Sequence, residues 1–104
     1  MIKAEIRFLH NHFSLVVKDH AGPQVCAGVS AITCGLVSFC LSHRDIVRDL
    51  EYSLEKGDSY VRFTSDEEFV KGAVSMAEIA LFGIQAGHPD ELEVICDREA
   101  SDLS

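Results

Sequence analysis

From Val25 to Leu41 the chain carries no charged side chain. A run of that length is too long for one strand and has the length of a helix. Ala27, Gly28, Ala31 and Gly35 are small and permit close packing. Ser30, Thr33 and Ser38 make it a poor bilayer segment, and it is short for one. The run predicts a central helix from Val25 to about His43, apolar on most faces and buried nearly all round. Such a helix must be covered by the rest of the chain, and that constrains everything else. A contact with a second copy is one way to cover any face left over.

On either side the pattern changes to a period of two. Ile2, Ala4, Ile6 and Phe8 alternate with Lys3, Glu5 and Arg7, which is a strand with one face on a core. His10-Asn11-His12 interrupts it as a turn, and Phe13, Leu15 and Val17 restart it. Asp19 to Gln24, with Gly22 and Pro23, reads as a loop. After the helix, Leu50, Tyr52 and Leu54 alternate, Lys56-Gly57-Asp58 turns, and Tyr60 to Thr64 closes a second hairpin. Ser65-Asp66-Glu67-Glu68 matches a capping box. Phe69, Val70, Ala73, Val74, Ala77, Ala80, Leu81 and Ile84 follow at helical spacing, and Gly87-His88-Pro89 ends that helix. Leu92, Val94 and Cys96 form a last strand, and residues 98–104 are expected to fray. The order is ββαββαβ. It predicts an α+β fold, a two-layer sandwich with a five-stranded antiparallel or mixed sheet and two helices, in a single domain over residues 1–104.

Nine Lys and Arg against 17 Asp and Glu give a formal net charge of -8. That disfavours direct nucleic-acid binding, which needs clustered basic groups on phosphates, and suits a basic partner. The N-terminus lacks the apolar core of an export signal, so a cytoplasmic protein with no membrane contact is expected. Among Cys26, Cys34, Cys40 and Cys96 no pair has CxxC spacing, so neither a zinc ribbon nor a redox motif is supported. Cys34, Cys40 and Cys96 read as small buried hydrophobes. His10 and His12 could share a strand face and bind a metal, but they flank Asn11 at a hairpin tip and read as solvated. No metal and no cofactor are expected. His43 and His88 read as groups at helix C-termini. Phe8, Phe13, Phe63 and Phe69 read as core.

Cys26 stands apart. It falls in the first turn of the central helix, whose positive end favours a thiolate. His20 ends the preceding strand, across a short loop, where it could deprotonate the thiol. Backbone N–H groups at the same helix terminus could hold an oxyanion. These are the parts of a cysteine hydrolase, although a His and a Cys six residues apart also occur by chance.

The residues around the pair add to this. His20-Ala21, then Val25-Cys26-Ala27-Gly28-Val29-Ser30-Ala31, after an opening hairpin, resembles the ribosomal-processing cysteine protease family (Prp, YsxB-like). The similarity in length and element order covers the whole chain, and the specific motif is confined to His20–Ala31. The resemblance implies a cytoplasmic homodimeric thiol protease of ribosome biogenesis. It would remove the basic N-terminal extension of a large-subunit ribosomal protein. Cys26 would be the nucleophile and His20 the base, with Ser30, Ala27 and Gly28 supporting the site. Two departures bear on activity. Only Ala21 to Val25 separate the pair, where the family loop is longer and Gly-rich. Asp19 stands where the family has Gly before the His. The competing reading is a catalytically inactive protein of the same fold, serving as a binding or ribosome-assembly module that captures an extended peptide at a sheet edge.

Overall fold

The computed structural model describes residues 1–98. The order is β1 (Ile2–Leu9), β2 (His12–Lys18), α1 (Pro23–Ser42), β3 (Arg48–Glu55), β4 (Asp58–Thr64), α2 (Glu68–Gly87) and β5 (Leu92–Arg98). This is the expected ββαββαβ arrangement. The expected frayed tail lies beyond the described residues, apart from Arg98 at the end of β5.

Strict alternation in β1 puts Ile2, Ala4, Ile6 and Phe8 on a buried face and Lys3, Glu5 and Arg7 on a solvated one. The chain turns back through His10 and Asn11, both at positive φ (51° and 64°), as a two-residue loop matching strand twist requires. β2 pairs antiparallel with both β1 and β4, and β3 pairs antiparallel with β4. β5 returns to lie parallel to β1. The sheet is therefore mixed, in the order β3-β4-β2-β1-β5.

Both helices cover the buried face, α1 toward β3 and β4 and α2 toward β5, and they touch each other. The core joins Phe13, Leu15, Val61 and Phe63 of the sheet to Val25, Val29 and Val37 of α1 and Val74 and Leu81 of α2. The Phe13 and Phe63 rings lie 5.0 Å apart. Gly28 lets the helices approach, since a Cβ there would sit 3.1 Å from Ile84 Cδ1.

Four expectations change. The helix α1 is not buried nearly all round: Ala27, Ser30, Ala31, Cys34, Gly35, Ser38 and Leu41 are exposed. A single sheet layer covers one face of a helix, and its small residues let α2 take only part of the rest. The helix α1 starts at Pro23, two residues before the expected Val25, and ends at Ser42 as expected; it is long and apolar enough to cross a membrane by length and composition, as is α2. Here both lie on the sheet and feed its core. Cys34 and Cys96 are exposed, and Cys40 alone of the three is buried. Phe69 is 62% exposed, outside the core, its ring tilted against Phe39 and edge-on to His43. The capping box does not form. Ser65 Oγ donates to the Ile46 carbonyl (2.7 Å) and accepts from Glu67 N–H (3.2 Å), so it is spent before the helix begins at Glu68.

Candidate active site

The loop from Asp19 to Gly22 brings the end of β2 to the start of α1. Asp19 takes φ 75°, and its N–H donates to the Gly57 carbonyl in the β3–β4 turn (3.1 Å). Pro23 occupies the first helical position, where its missing N–H costs nothing and its fixed φ suits the helix. Cys26 therefore sits at the end of the first turn, half-buried, as the sequence predicts.

His20 and Cys26 line one pocket of about 370 Å³, closed by Ser30 and Cys34 of α1 and by Leu54 to Gly57 of the second hairpin. The fold thus brings the two together without bonding them. Cys26 Sγ lies 3.3 Å from both the Ala21 N–H, which donates to it, and the Ala21 carbonyl, which accepts the S–H hydrogen bond. The His20 ring rests instead against Gly57, so closely that a Cβ at Gly57 would overlap it. Gly57 itself has φ 78°, so two independent constraints call for glycine there.

The anion site is narrower than the helix start suggested. Pro23 has no N–H, and Cys26 N–H already donates to the Gly22 carbonyl (3.0 Å). The N–H groups of Gln24 and Val25 are left without partners among the described residues, and no side chain caps this end. Gly22 N–H donates to Glu91 Oε1 (2.8 Å). Glu91 Oε2 lies 3.2 Å from His88 Nδ1.

Ala27 and Ser30 line the pocket, Ser30 one turn beyond Cys26. The Ser30 hydroxyl makes no hydrogen bond among the described residues, so the support expected of it is limited to lining. Gly28 is not in the pocket and faces Ile84 of α2. His12 is bonded to the Thr64 hydroxyl (2.7 Å). Among the described residues no His, Cys, Asp and Glu cluster could hold a metal ion. His43 is the C-cap residue of α1, its Nδ1 2.9 Å from the Phe39 carbonyl.

Sequence reasoning missed Lys56, Gly57 and Glu91. The turn Lys56-Gly57 was legible as a turn, but its place beside His20 depends on β4 pairing with β2. Glu91 acts across 69 positions, and no local signal marks it.

No family model matches the chain, and no curated protein matches it. Solved structures do. The Staphylococcus aureus essential ribosomal processing protease Prp, in complex with a covalently linked product peptide, superposes with a TM-score of 0.78 at 19% identity, over 93% of this chain and 100% of that one. Its complex with a substrate peptide gives 0.75 at 18%, with the same coverage. A Streptococcus mutans protein gives 0.73 at 18%, over 95% and 99%. The chain has the Prp fold over nearly its whole described length.

Proposed function

We propose that the chain is a cysteine endopeptidase, with Cys26 as nucleophile and His20 as general base, acting on the basic N-terminal extension of a large-subunit ribosomal protein. The observation that carries this reading is the shared pocket. A thiol at a helix N-terminus and an imidazole line one cleft, in a fold held in common with a ribosomal processing protease. The net charge of -8 suits a basic tail. The setting proposed is the cytoplasm, and the proposed assembly is a homodimer. Its contact would be the outer face of the two helices, where an apolar groove of about 690 Å³ runs between Ile32, Phe39, Phe69 and Met76.

In the proposed reaction His20 takes the Cys26 proton, once its ring swings from Gly57 toward Sγ. The thiolate attacks the scissile carbonyl, and the Gln24 and Val25 N–H groups face the oxyanion. The tetrahedral centre collapses to a thioester as His20 returns the proton to the leaving amine. Water, deprotonated by His20, then adds to the thioester. A carboxylate product leaves and the thiol is restored.

A second reading is favoured by a specific observation. The Cys26 thiol donates to the Ala21 carbonyl, and the His20 ring packs against Gly57 rather than bonding to Sγ, as an inactive binding module of this fold would also allow. Alkylation of Cys26 by iodoacetamide across pH, read by peptide mass spectrometry, separates the two. A protease shows a Cys26 alkylation profile that depends on its histidine, so His20→Ala moves it. Cys26→Ala abolishes cleavage of the tail and leaves the fold intact. A Cys26 indifferent to His20 sinks the protease reading.

A further inference from the structure

We propose that the second half of β3 is a docking edge for a basic, extended peptide, which adds to the sheet as a sixth strand and lies against the Cys26 pocket. Cleavage of the docked peptide rests on the peptidase reading above, but the docking itself does not.

Hydrogen-bond parity decides which main-chain groups of β3 face outward. In a two-residue hairpin the closing pair is bonded, and bonded and non-bonded pairs then alternate. The β3–β4 hairpin closes at Glu55 and Asp58. Ser53 and Glu51 therefore bond to β4, whereas Leu54 and Tyr52 turn their N–H and C=O groups to the open edge. The first hairpin closes at Leu9 and His12, and tracing its register through β2 to β4 leads to the same parity. No other element pairs with that edge among the described residues.

The two edges of the sheet are treated differently. On β5 the Val94 N–H is taken by Gln85 Oε1 of α2 (2.5 Å). The first half of β3 is broken by a register shift between Arg48 and Glu51, with Asp49 at φ 56°. Both are ordinary ways to blunt an edge. From Tyr52 to Glu55 neither device is present. Tyr52 lies opposite buried Val61, so its side chain and that of Leu54 point to the helix side. They are 43% and 44% exposed there. Leu54 also lines the pocket that holds Cys26. An incoming strand would set every second side chain beside Tyr52 and Leu54, the alternation that gives such docking its specificity.

Charge selects the occupant. Glu51 is bridged to Arg62 (3.7 Å), and Asp58 to Lys18. Glu55 and Asp19 line the pocket with no ion pair among the described residues, in a chain of net charge -8. A basic peptide is favoured over a second copy of this acidic chain.

The test uses full-length Cys26→Ala protein and a fluorescein-labelled probe, Lys-Val-Lys-Val-Phe-Lys-Val-Lys. Two further probes carry N-methyl groups on alternate residues, one on each strand edge. Fluorescence anisotropy should show binding that weakens with salt. One N-methyl probe should lose roughly tenfold or more in affinity, as expected for two lost main-chain hydrogen bonds, while the other binds as the parent does. Leu54→Pro puts a ring at the open edge without touching a β4 bond, and should abolish binding. If that variant does not fold, the probe pair decides alone. Equal binding of both N-methyl probes overturns the proposal, and so does no binding. A chain that dimerises through β3, with Leu54→Pro making it monomeric in sedimentation, overturns it too. One-sided loss with an unreactive Cys26 in the parent protein keeps the docking edge and removes the peptidase. A reactive Cys26 with no probe binding does the reverse.

Discussion

Glu91 ties three elements at one point. Its carboxylate holds Gly22 at the head of α1, its carbonyl accepts Ile2 N–H at the start of β1 (2.8 Å), and its own N–H donates to His88 after α2 (3.0 Å). A carboxylate at a helix N-terminus is also favoured by the dipole. Glu91→Ala should cost about 1.5–3 kcal/mol, the worth of one hydrogen bond to a charged group, and should speed Cys26 alkylation by loosening the loop. Urea unfolding and the alkylation rate check this, and unchanged values in both would remove the tie from the account. Gly57 is the second such residue. Gly57→Asn keeps a residue that tolerates positive φ but adds a Cβ where the His20 ring lies. The stability loss should be about 1 kcal/mol or less, while the pH profile of Cys26 alkylation should shift as His20 is displaced. An unchanged profile would mean that the contact with Gly57 does not govern His20. At this scale the closeness of Cys26 and His20 was legible because a helix start follows a strand after a short loop, although His20 does not end the strand as expected: β2 stops at Lys18, and His20 lies in the loop two residues on. Gly57 and Glu91 were not legible, because each matters through a partner far along the chain.

Elements follow from periodicity wherever one face is buried and the other solvated. β1 alternates without exception, and its position in the sequence pattern was plain. β3 begins at Arg48 rather than near Leu50 because its first residues form the irregular, edge-blunting part of the strand. The capping box failed for a tertiary reason, since Ser65 is engaged by Ile46 from the α1–β3 connection. The helices carry the largest unburied apolar surface: Met76 and Ile79 are 75% and 73% exposed, and Phe69 and Phe82 join them. An apolar face of that kind is a contact surface, and the proposed homodimer would cover it. Met76→Lys should convert a dimer into a monomer in sedimentation velocity with no loss of folded stability, because Met76 is exposed in the single chain. A parent chain that sediments as a monomer would sink the homodimer.

Across the whole molecule, composition and element order were enough for an α+β sandwich, but not for the strand order. The pairing of β5 with β1 rather than with β4, and its parallel direction, depend on α2 carrying the chain over two strands, and no short-range pattern records that crossing. The resulting single core sets how global stability depends on pH through one buried thiol. Cys40 is fully buried on the core-facing side of α1, and desolvation raises its pKa from 9.0 to about 11, since burial disfavours the thiolate. In the unfolded chain the same thiol ionises near 9. Between the two values the unfolded state has released a proton that the folded state retains, so stability falls as pH rises through this window and levels off above it. The full difference corresponds to about 2–3 kcal/mol. Cys40→Val keeps an apolar side chain of similar size and removes the titration. Urea unfolding of parent and variant from neutral pH to about pH 11 should give two curves that run parallel below pH 9 and converge or cross above it, as the parent alone loses this contribution. Lysine and tyrosine titrations act on both proteins and cancel in the difference. A difference that stays flat across the window would show that the Cys40 thiol titrates alike in the folded and unfolded chain, and that the core beneath α1 admits solvent.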